Sequence, residues 1–446
     1  MNSAISDQIG NLEIKVRKIT DLKPYANNPR THTAKQIKQI AKSIKAFGFT
    51  NPVLIDDADG VIAGHGRVEA AKLLGMDAVP TIRLSNMSDA QKRAYIIADN
   101  KLAENAGWDE DLLKTEIADL SSMALDFDMD VIGFETAEID IMLGADEAVA
   151  EAPIPMPPEG APVSCLGDLW CLGSHRLYCG DALNASSYDA LLAGERADAV
   201  FTDPPYNVPV NGHVCGKGSI KHNEFKMASG ELSEAEFEVF LGNVCECLKA
   251  HSTDTAVIFI CMDWRHIRPL LNAGANIFDE LLNLCVWNKT NGGMGSLYRS
   301  KHELVLVFRN GNGPHTNNVS LGRFGRNRTN VWDYAGVNTF SKDRSETLGI
   351  HPTVKPVAMV ADAILDVTAR GDLVLDPFSG SGTTIMAGEQ TGRRVAAMEL
   401  DPKYVDVAIH RFEAATGIEA TLTETGERFV DVKARRTGAC QSESVV

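Results

Sequence analysis

Two turns headed by aspartate, 173 positions apart, hold the residue types with most chemical capacity in this chain. The first follows the apolar stretch DAVFTD and reads Asp203-Pro204-Pro205-Tyr206. Consecutive prolines fix φ and remove N–H donors, so the turn is rigid and its carbonyls and the Asp203 carboxylate stand as positioned acceptors. An aromatic ring follows at once. That set suits a planar group bearing an NH₂, with the acceptors gripping the amine and Tyr206 stacking on the ring. A plain proline turn with a solvent-facing tyrosine is the competing reading.

The second turn follows LVLD and reads Asp376-Pro377-Phe378-Ser379-Gly380-Ser381-Gly382-Thr383-Thr384. Gly380 and Gly382 allow positive φ and close backbone approach. A helix predicted from about Thr383 offers free N–H groups to an anion such as a carboxylate. The loop lacks the Gly-Lys-Ser/Thr ending of a P-loop, which disfavours nucleoside triphosphates. A later strand, RRVAAMEL, reaches Glu399, where an acid accepts hydrogen bonds from ribose hydroxyls. A nucleoside with an amino-acid tail meets both demands, and S-adenosyl-L-methionine (AdoMet) is such a molecule. A dinucleotide fold or a simple glycine-rich turn is the alternative for this loop taken alone.

These turns need a scaffold that brings them together. Strand patterns at 198–203, 255–260, 281–289, 302–309, 372–376 and 393–400 alternate with helical patterns near 233–249, 264–273, 355–368, 383–391 and 402–415. Such alternation predicts an α/β fold with a doubly wound, mostly parallel sheet and helices on both faces. Ligands of such sheets bind beyond the carboxyl ends of strands, where both turns fall.

The order DPPY, then HPTVKP (351–356), then the FSGSGT loop, with GDAL (180–183) ahead of them, resembles the AdoMet-dependent DNA amino-methyltransferases of the N6-adenine and N4-cytosine type in their permuted β-type order. The likeness spans about residues 164–415, and Val354 stands where the family often has glutamine. It implies a Rossmann-like methyltransferase domain and a site-specific, adenine-specific DNA methyltransferase of the restriction–modification kind, with cytosine N4 as the alternative target. By the same resemblance Asp203 and the Pro204 carbonyl hold the amine, with Pro205 stiffening the turn, and Tyr206 stacks on a flipped base. Asp376, Pro377, Phe378, Ser379, Gly380, Gly382 and Thr383 surround AdoMet, Glu399 takes its ribose, Asp181 meets its adenine end and Lys355 approaches its carboxylate. A surface lysine at a helix start is an equal reading of Lys355. None of the nine cysteines follows a proline, so covalent thiolate chemistry at cytosine C5 is not expected.

Double-stranded DNA is the expected partner. Residues 288–350 hold nine Lys/Arg against four acids, about +5 in a chain of −17, with Tyr298, Phe324 and Trp332 interleaved. This is the pattern of a target-recognition insert, and Arg299, Lys301, Arg323, Arg326 and Arg328 are its candidate contacts. A solvated loop is the plainer alternative.

The N-terminal part carries NNPR (27–30), a helix from about Ala34 to Phe47, and IAGHGRVEAAKLLG. It resembles the ParB/sulfiredoxin-like domain, a small α+β unit. Gly64, His65, Gly66 and Arg67 open a helix and suit a nucleotide phosphate. The family often has Glu-Arg where His65-Gly66 stand, so clamp action does not follow; sulfiredoxin activity would need a cysteine in this loop. A scaffold without ligand, and a non-catalytic ParB-like regulator, are the rival readings.

Length and composition set the frame. At 446 residues two or three domains are expected: a ParB-like domain with helical extension at 1–144, a Pro/Ala-rich linker at 145–162, the methyltransferase domain at 163–420 and a tail at 421–446. The first stretch has no apolar secretory core, which predicts a cytoplasmic, reduced protein. Cys165, Cys171 and Cys179 around His175 lack zinc-knuckle spacing and read as two short strands, not a metal site. A second copy of the chain completes the set of candidate partners.

Overall fold

The computed structural model describes residues 12–443 apart from 86, 124, 128, 145–153, 158–159, 209–229, 290–296, 320–321, 323–325 and 337–353. The chain divides into two compact units, Met1–Leu143 and Gly144–Val446. No helix among the described residues is long and apolar enough to cross a membrane.

The first unit runs β1 (Ile14–Lys18), α1 (Ala34–Phe47), β2 (Val53–Ile55), β3 (Val61–Ala63), α2 (His65–Leu73), β4 (Ala78–Arg83), α3 (Asp89–Glu104), α4 (Glu110–Ser122) and α5 (Thr136–Met142). Its four strands order β1-β4-β2-β3, with β2 and β4 parallel and the outer pairs antiparallel. Local chemistry sets the helix starts. Thr33 accepts from the Gln36 N–H ahead of α1, and Ser88 with Gln91 forms a capping box ahead of α3. Val53, Ile55, Val61, Val68, Ala71 and Val79 form the core between sheet and helices.

The second unit runs β5 (Leu169–Leu172), β6 (His175–Cys179), α6 (Ala185–Leu192), β7 (Ala197–Thr202), α7 (Glu234–Ala250), β8 (Ser252–Met262), α8 (Ile267–Ile277), β9 (Glu280–Asn288), β10 (His302–Arg309), β11 (Val331–Asp333), α9 (Val357–Val367), β12 (Leu373–Asp376), α10 (Thr383–Thr391), β13 (Arg394–Glu399), α11 (Pro402–Thr416), β14 (Thr421–Leu422) and α12 (Phe429–Glu443). Among the described residues one sheet holds ten strands in the order β11-β9-β10-β8-β7-β12-β13-β6-β5-β14. The block β8-β7-β12-β13-β6 is parallel, and antiparallel pairs flank it on both sides. The central runs, such as Ala256–Met262, are apolar without a break because helices cover both faces.

The topology places a crevice. From β7 the chain crosses through α7 to β8 on one side, and from β12 it crosses through α10 to β13 on the other. β7 and β12 are neighbours, so the connections diverge between them. This is the topological switch point at which open α/β sheets leave room for a ligand.

One expectation fails in this unit. Residues 421–436, the first part of the expected tail, pack against the domain. β14 pairs with β5, Phe429 packs on the wholly buried Trp170, and Arg436 pairs with Asp168 at 2.6 Å. Phe429 and Val432 are buried apolar residues on a helix of low overall amphipathicity, a signal too short to show in the pattern.

Candidate functional site

Asp203 follows the last residue of β7 and Asp376 ends β12, so the two turns meet at the switch point. A buried hydrogen bond joins the strand tips: Thr202 Oγ1 donates to Asp376 Oδ1 at 2.9 Å. Thr384 donates to the other oxygen at 2.6 Å, and the Phe378 N–H adds 3.1 Å to Oδ1. Burial, offset by these donors, still lifts Asp376 to about 6. Asp376 thus ties the glycine loop to both neighbouring elements.

The loop itself is shaped as a cradle. Gly380 (φ +52°) and Gly382 (φ +79°) take left-handed backbone, and a Cβ on Gly380 would meet no atom within 4 Å. Gly380 stands two residues before the N-cap of α10, Gly382, and a helix N-terminus favours a carboxylate. A Cβ on Gly382 would press on Ala408 at 3.0 Å. Ser379 is buried, and its hydroxyl has no hydrogen-bond partner among the described residues. Below the loop the buried Arg411 donates to the Ser381 carbonyl and to Thr383 Oγ1, both at 3.2 Å.

Glu399 ends β13 and reaches back to the loop. The Gly380 N–H donates to Oε2 at 2.9 Å and the Asp401 N–H to Oε1 at 2.8 Å. Burial pushes its carboxyl up to about 7 despite those two donors. Asp181 follows β6, and the Gly180 N–H bonds the Glu399 carbonyl at 3.0 Å, which sets Asp181 beside the same strand end. Only glycine fits at 180, since a Cβ there would stand 2.3 Å from the Tyr178 ring.

The DPPY turn holds a denser cluster than its sequence shows. Tyr206 Oη donates to Asp203 Oδ1 at 2.5 Å. Lys355 Nζ lies 2.5 Å from Asp203 Oδ2, 3.2 Å from Tyr206 Oη and 3.1 Å from Glu303 Oε2. Lys289 closes on the other Glu303 oxygen. The Asp203 side chain is 22% exposed and faces the crevice, whereas Lys355 at 5% lies beneath it. Burial, opposed by Lys355, raises the Asp203 carboxyl above the ordinary aspartate range. Burial works against ionised Glu303 as well, but Lys355 and Lys289 outweigh it and hold Glu303 down to about 2. Burial would lower Lys355; Asp203 and Glu303 instead raise it. Tyr206 is lifted well above its usual value by burial and by the two carboxylates.

Lys355 is therefore not a surface lysine: it is buried, and the half-buried carboxylates of Asp203 and Glu303 hold it. Glu303 and Thr202 carry no sequence signal for this site; Lys289 counts only toward the charge of residues 288–350, and Thr384 only as the end of the glycine turn. Glu303 opens a strand that runs antiparallel to β8, with Leu304 opposite Met262, so its start lands on the edge where β7 and β8 end. Alternation along HELVLVFR gives no hint of that reversal.

The basic insert needs correction. Arg326 and Arg328 are not free to meet phosphate. Arg326 bonds Asp366 at 3.0 Å and Asp362 at 3.1 Å, while Arg328 bonds the same pair and the Tyr334 hydroxyl. These pairs fasten the segment before β11 onto α9, because two acids one helical turn apart meet two arginines two positions apart. Arg299 and Lys301 are exposed, beside exposed Leu297 and Tyr298. Arg323, Phe324 and His351 to Thr353 lie outside the described residues.

In the first unit Gly64 (φ +98°) caps α2, so the Gly64–Arg67 element does open a helix. His65 Nε2 accepts the Tyr25 N–H at 3.3 Å, and Gly66 is buried with His32 and Ile40 over it. Arg67 Nη1 donates to the carbonyls of Asn51 and Pro52 at 2.5 and 3.0 Å. Arg67 also lines a cavity of about 450 Å³ with Gln36, Gln39, Ser43, Thr50 and Asn51.

Three family models match parts of the chain, and one of the matches crosses the boundary between the two units. Residues 197–410 match the DNA methylase family, residues 4–101 the ParB N-terminal domain and residues 111–166 the ParB-methyltransferase HTH domain. The last of these runs from α4 through the proline-rich stretch. The chain is 55% identical over 82 residues to the ParB-like nuclease domain-containing protein YnaK of Escherichia coli K12, covering 18% of this chain and 94% of that one. It is 27% identical over 253 residues to the type II methyltransferase M.HpaI of Haemophilus parainfluenzae, covering 54% and 74%. Among solved structures, the PvuII DNA methyltransferase (cytosine-N4-specific) aligns with a TM-score of 0.41 and 17% identity over 56% of this chain and 88% of its own.

Proposed function

We infer that this chain, whose residues 197–410 belong to the N6/N4 DNA methylase family and whose residues 4–101 belong to the ParB N-terminal domain family, methylates the exocyclic amine of a flipped base in duplex DNA, adenine N6 in the first place. The family draws its methyl group from AdoMet. The observation that carries the reading is the crevice between β7 and β12, where the acceptor cluster of Asp203 faces a glycine cradle with an acid on its rim.

The residues present fit that donor. The open side of Gly380 and the N-terminus of α10 would take its carboxylate, the buried Ser379 hydroxyl offers a further polar contact, and Glu399 would accept from its ribose. When bound, it supplies a methyl group already activated on a sulfonium. The protein then has to place the nitrogen. An exocyclic amine is a weak nucleophile because its lone pair is delocalised into the ring. Asp203 Oδ1 or Oδ2 and the Pro204 carbonyl, accepting the two amine hydrogens, favour a pyramidal nitrogen with its lone pair aimed at the methyl carbon. The Asp203 carboxylate would stabilise the positive charge that methylation places on the nitrogen, until the proton passes to solvent water. Orientation of this order supplies several kcal/mol. Tyr206, fixed by its bond to Asp203, presents the ring on which an extruded base stacks, offsetting part of the few kcal/mol that flipping costs.

The test is methyl transfer from tritiated AdoMet to plasmid DNA, followed by nucleoside analysis. Wild type is expected to label N6-methyladenine, and Asp203→Ala to lose roughly a hundredfold or more of the rate. Label in N4-methylcytosine would reassign the base. Label on RNA in preference to DNA, or none on either, would overturn the reading.

The ParB-like unit is read as an accessory nucleotide- or DNA-binding module, supported by the cavity beside Arg67, whose wall mixes polar residues with Ile40, Ile44, Phe49 and Val131. Equilibrium binding of labelled nucleotides to the full chain and to Arg67→Ala tests it. No binding by wild type would leave this unit a scaffold.

A further inference from the structure

Glu303 has no place in the amine-binding set, yet it is the hub of the charges under it. One carboxylate oxygen meets Lys289 and the other meets Lys355 at 3.1 Å, while Tyr206 Oη lies 3.4 Å away. Lys355 in turn touches Asp203 and Tyr206, the two groups assigned to the target base. Two cations and two carboxylates thus form one chain, Lys289–Glu303–Lys355–Asp203, deepest at Lys355 and Glu303 and partly exposed at its Lys289 and Asp203 ends. Each link comes from a different part of the fold: Lys289 from the end of β9, Glu303 from the start of β10, Lys355 from the approach to α9 and Asp203 from the end of β7.

We propose that Glu303 is a positioning residue for methyl transfer: through Lys355 it fixes the direction of the Asp203 carboxylate, and Lys289 keeps Glu303 itself from turning away. The proposal rests on the reading of Asp203 as the acceptor of the target amine. A lysine on a four-carbon stem has no preferred direction of its own. With a single partner it would follow Asp203 as that group moves. Held also by Glu303, it becomes a fixed point against which Asp203 is set, and Tyr206 with it. The carboxylate then presents its outer lone pairs to the crevice without sampling other rotamers. Burial makes the arrangement stiff, since neither Lys355 nor Glu303 can swing into water to replace a lost partner.

The test uses the full chain with duplex DNA and AdoMet, and compares wild type, Glu303→Gln, Lys355→Met and the double variant. Thermal melts and equilibrium AdoMet binding confirm that each is folded. Glu303→Gln is expected to lower kcat about 30-fold while KM for AdoMet stays within about twofold. The double variant should be no slower than Lys355→Met alone, because Glu303 acts only through Lys355. The pH profile separates positioning from general loss of structure. Asp203 faces Lys355, Tyr206 and Glu303, with Cys261 of β8 and Asp376 of β12 in electrostatic reach. Removing the like charge of Glu303 should move the acid limb of kcat to lower pH even as the plateau falls. Removing Lys355 should move it to higher pH. A Glu303→Gln enzyme with wild-type kcat would overturn the inference, as would rate losses that multiply in the double variant. If wild type transfers no methyl to DNA, the functional reading fails first.

Should Glu303→Gln prove poorly folded, Lys289→Met gives the same measurement from the far end of the chain. It should lower kcat by a smaller factor with the same non-additivity toward Lys355→Met. Full additivity there would count against the proposal.

Discussion

Thr202 Oγ1 and Asp376 Oδ1 stand 2.9 Å apart although 174 positions separate them in the chain. The bond is buried and joins the ends of β7 and β12, the two strands whose tips carry the acceptor turn and the glycine cradle. It therefore sets the distance between the proposed methyl acceptor and the proposed donor site.

Thr202→Val keeps the shape and removes the hydroxyl. It leaves Asp376 one donor short in a buried place, where a bond to an ionised group is worth about 1.5–3 kcal/mol. Denaturant unfolding of the second unit should show a loss in that range. AdoMet affinity should fall as well, since Asp376 also holds the Phe378 N–H of the loop.

The carboxyl of Glu399, pushed up to about 7, makes two pH trends with opposite signs. To accept two ribose hydroxyls the group must be ionised, so binding releases a proton. AdoMet affinity should fall by up to about tenfold per pH unit below about 7. The ligand-free protein behaves otherwise. Its folded-state value lies above the unfolded one, so the folded state binds the extra proton, and stability should decline as pH rises from the ordinary glutamate range through about 7. Glu399→Gln should flatten both curves. Calorimetric titration and thermal melts across pH 5–9 would check them.

Arg326 and Arg328 should behave as structural residues. Arg326→Met leaves Asp366 buried with one partner fewer, a change that costs about 3–5 kcal/mol. The salt dependence of DNA binding should stay as in wild type. Lys301→Gln should do the reverse: stability is unchanged, while the slope of log affinity against log salt falls by about 1. Filter binding at several salt concentrations, beside unfolding curves, distinguishes the two.

Phe429→Ala should destabilise the second unit by about 3–5 kcal/mol, because its ring fills the space against Trp170. Activity measured well below the melting temperature should persist. A chain whose stability ignored this change would mean that α12 does not cover β5.

The residue types, the motif order and the strand–helix alternation were enough to indicate an α/β sheet, two turns at strand ends and a ParB-like first part, because each is a local property of the chain. The glycines at 380 and 382, the prolines at 204 and 205 and the apolar runs of β7 and β12 act within a few residues of where they stand. What only the tertiary structure decided concerns charges whose partners are far away in sequence. Lys289 reads as one charge of the basic insert and Lys355 as a cofactor contact or a surface lysine, and Glu303 carries no reading, until the reversal of β10 and the approach to α9 bring all three together with Asp203. Arg326 and Arg328 read as phosphate contacts until Asp362 and Asp366 meet them from α9. Apolar patterning tells which face of an element is buried; it carries no record of which acid will stand opposite which base once the sheet has closed.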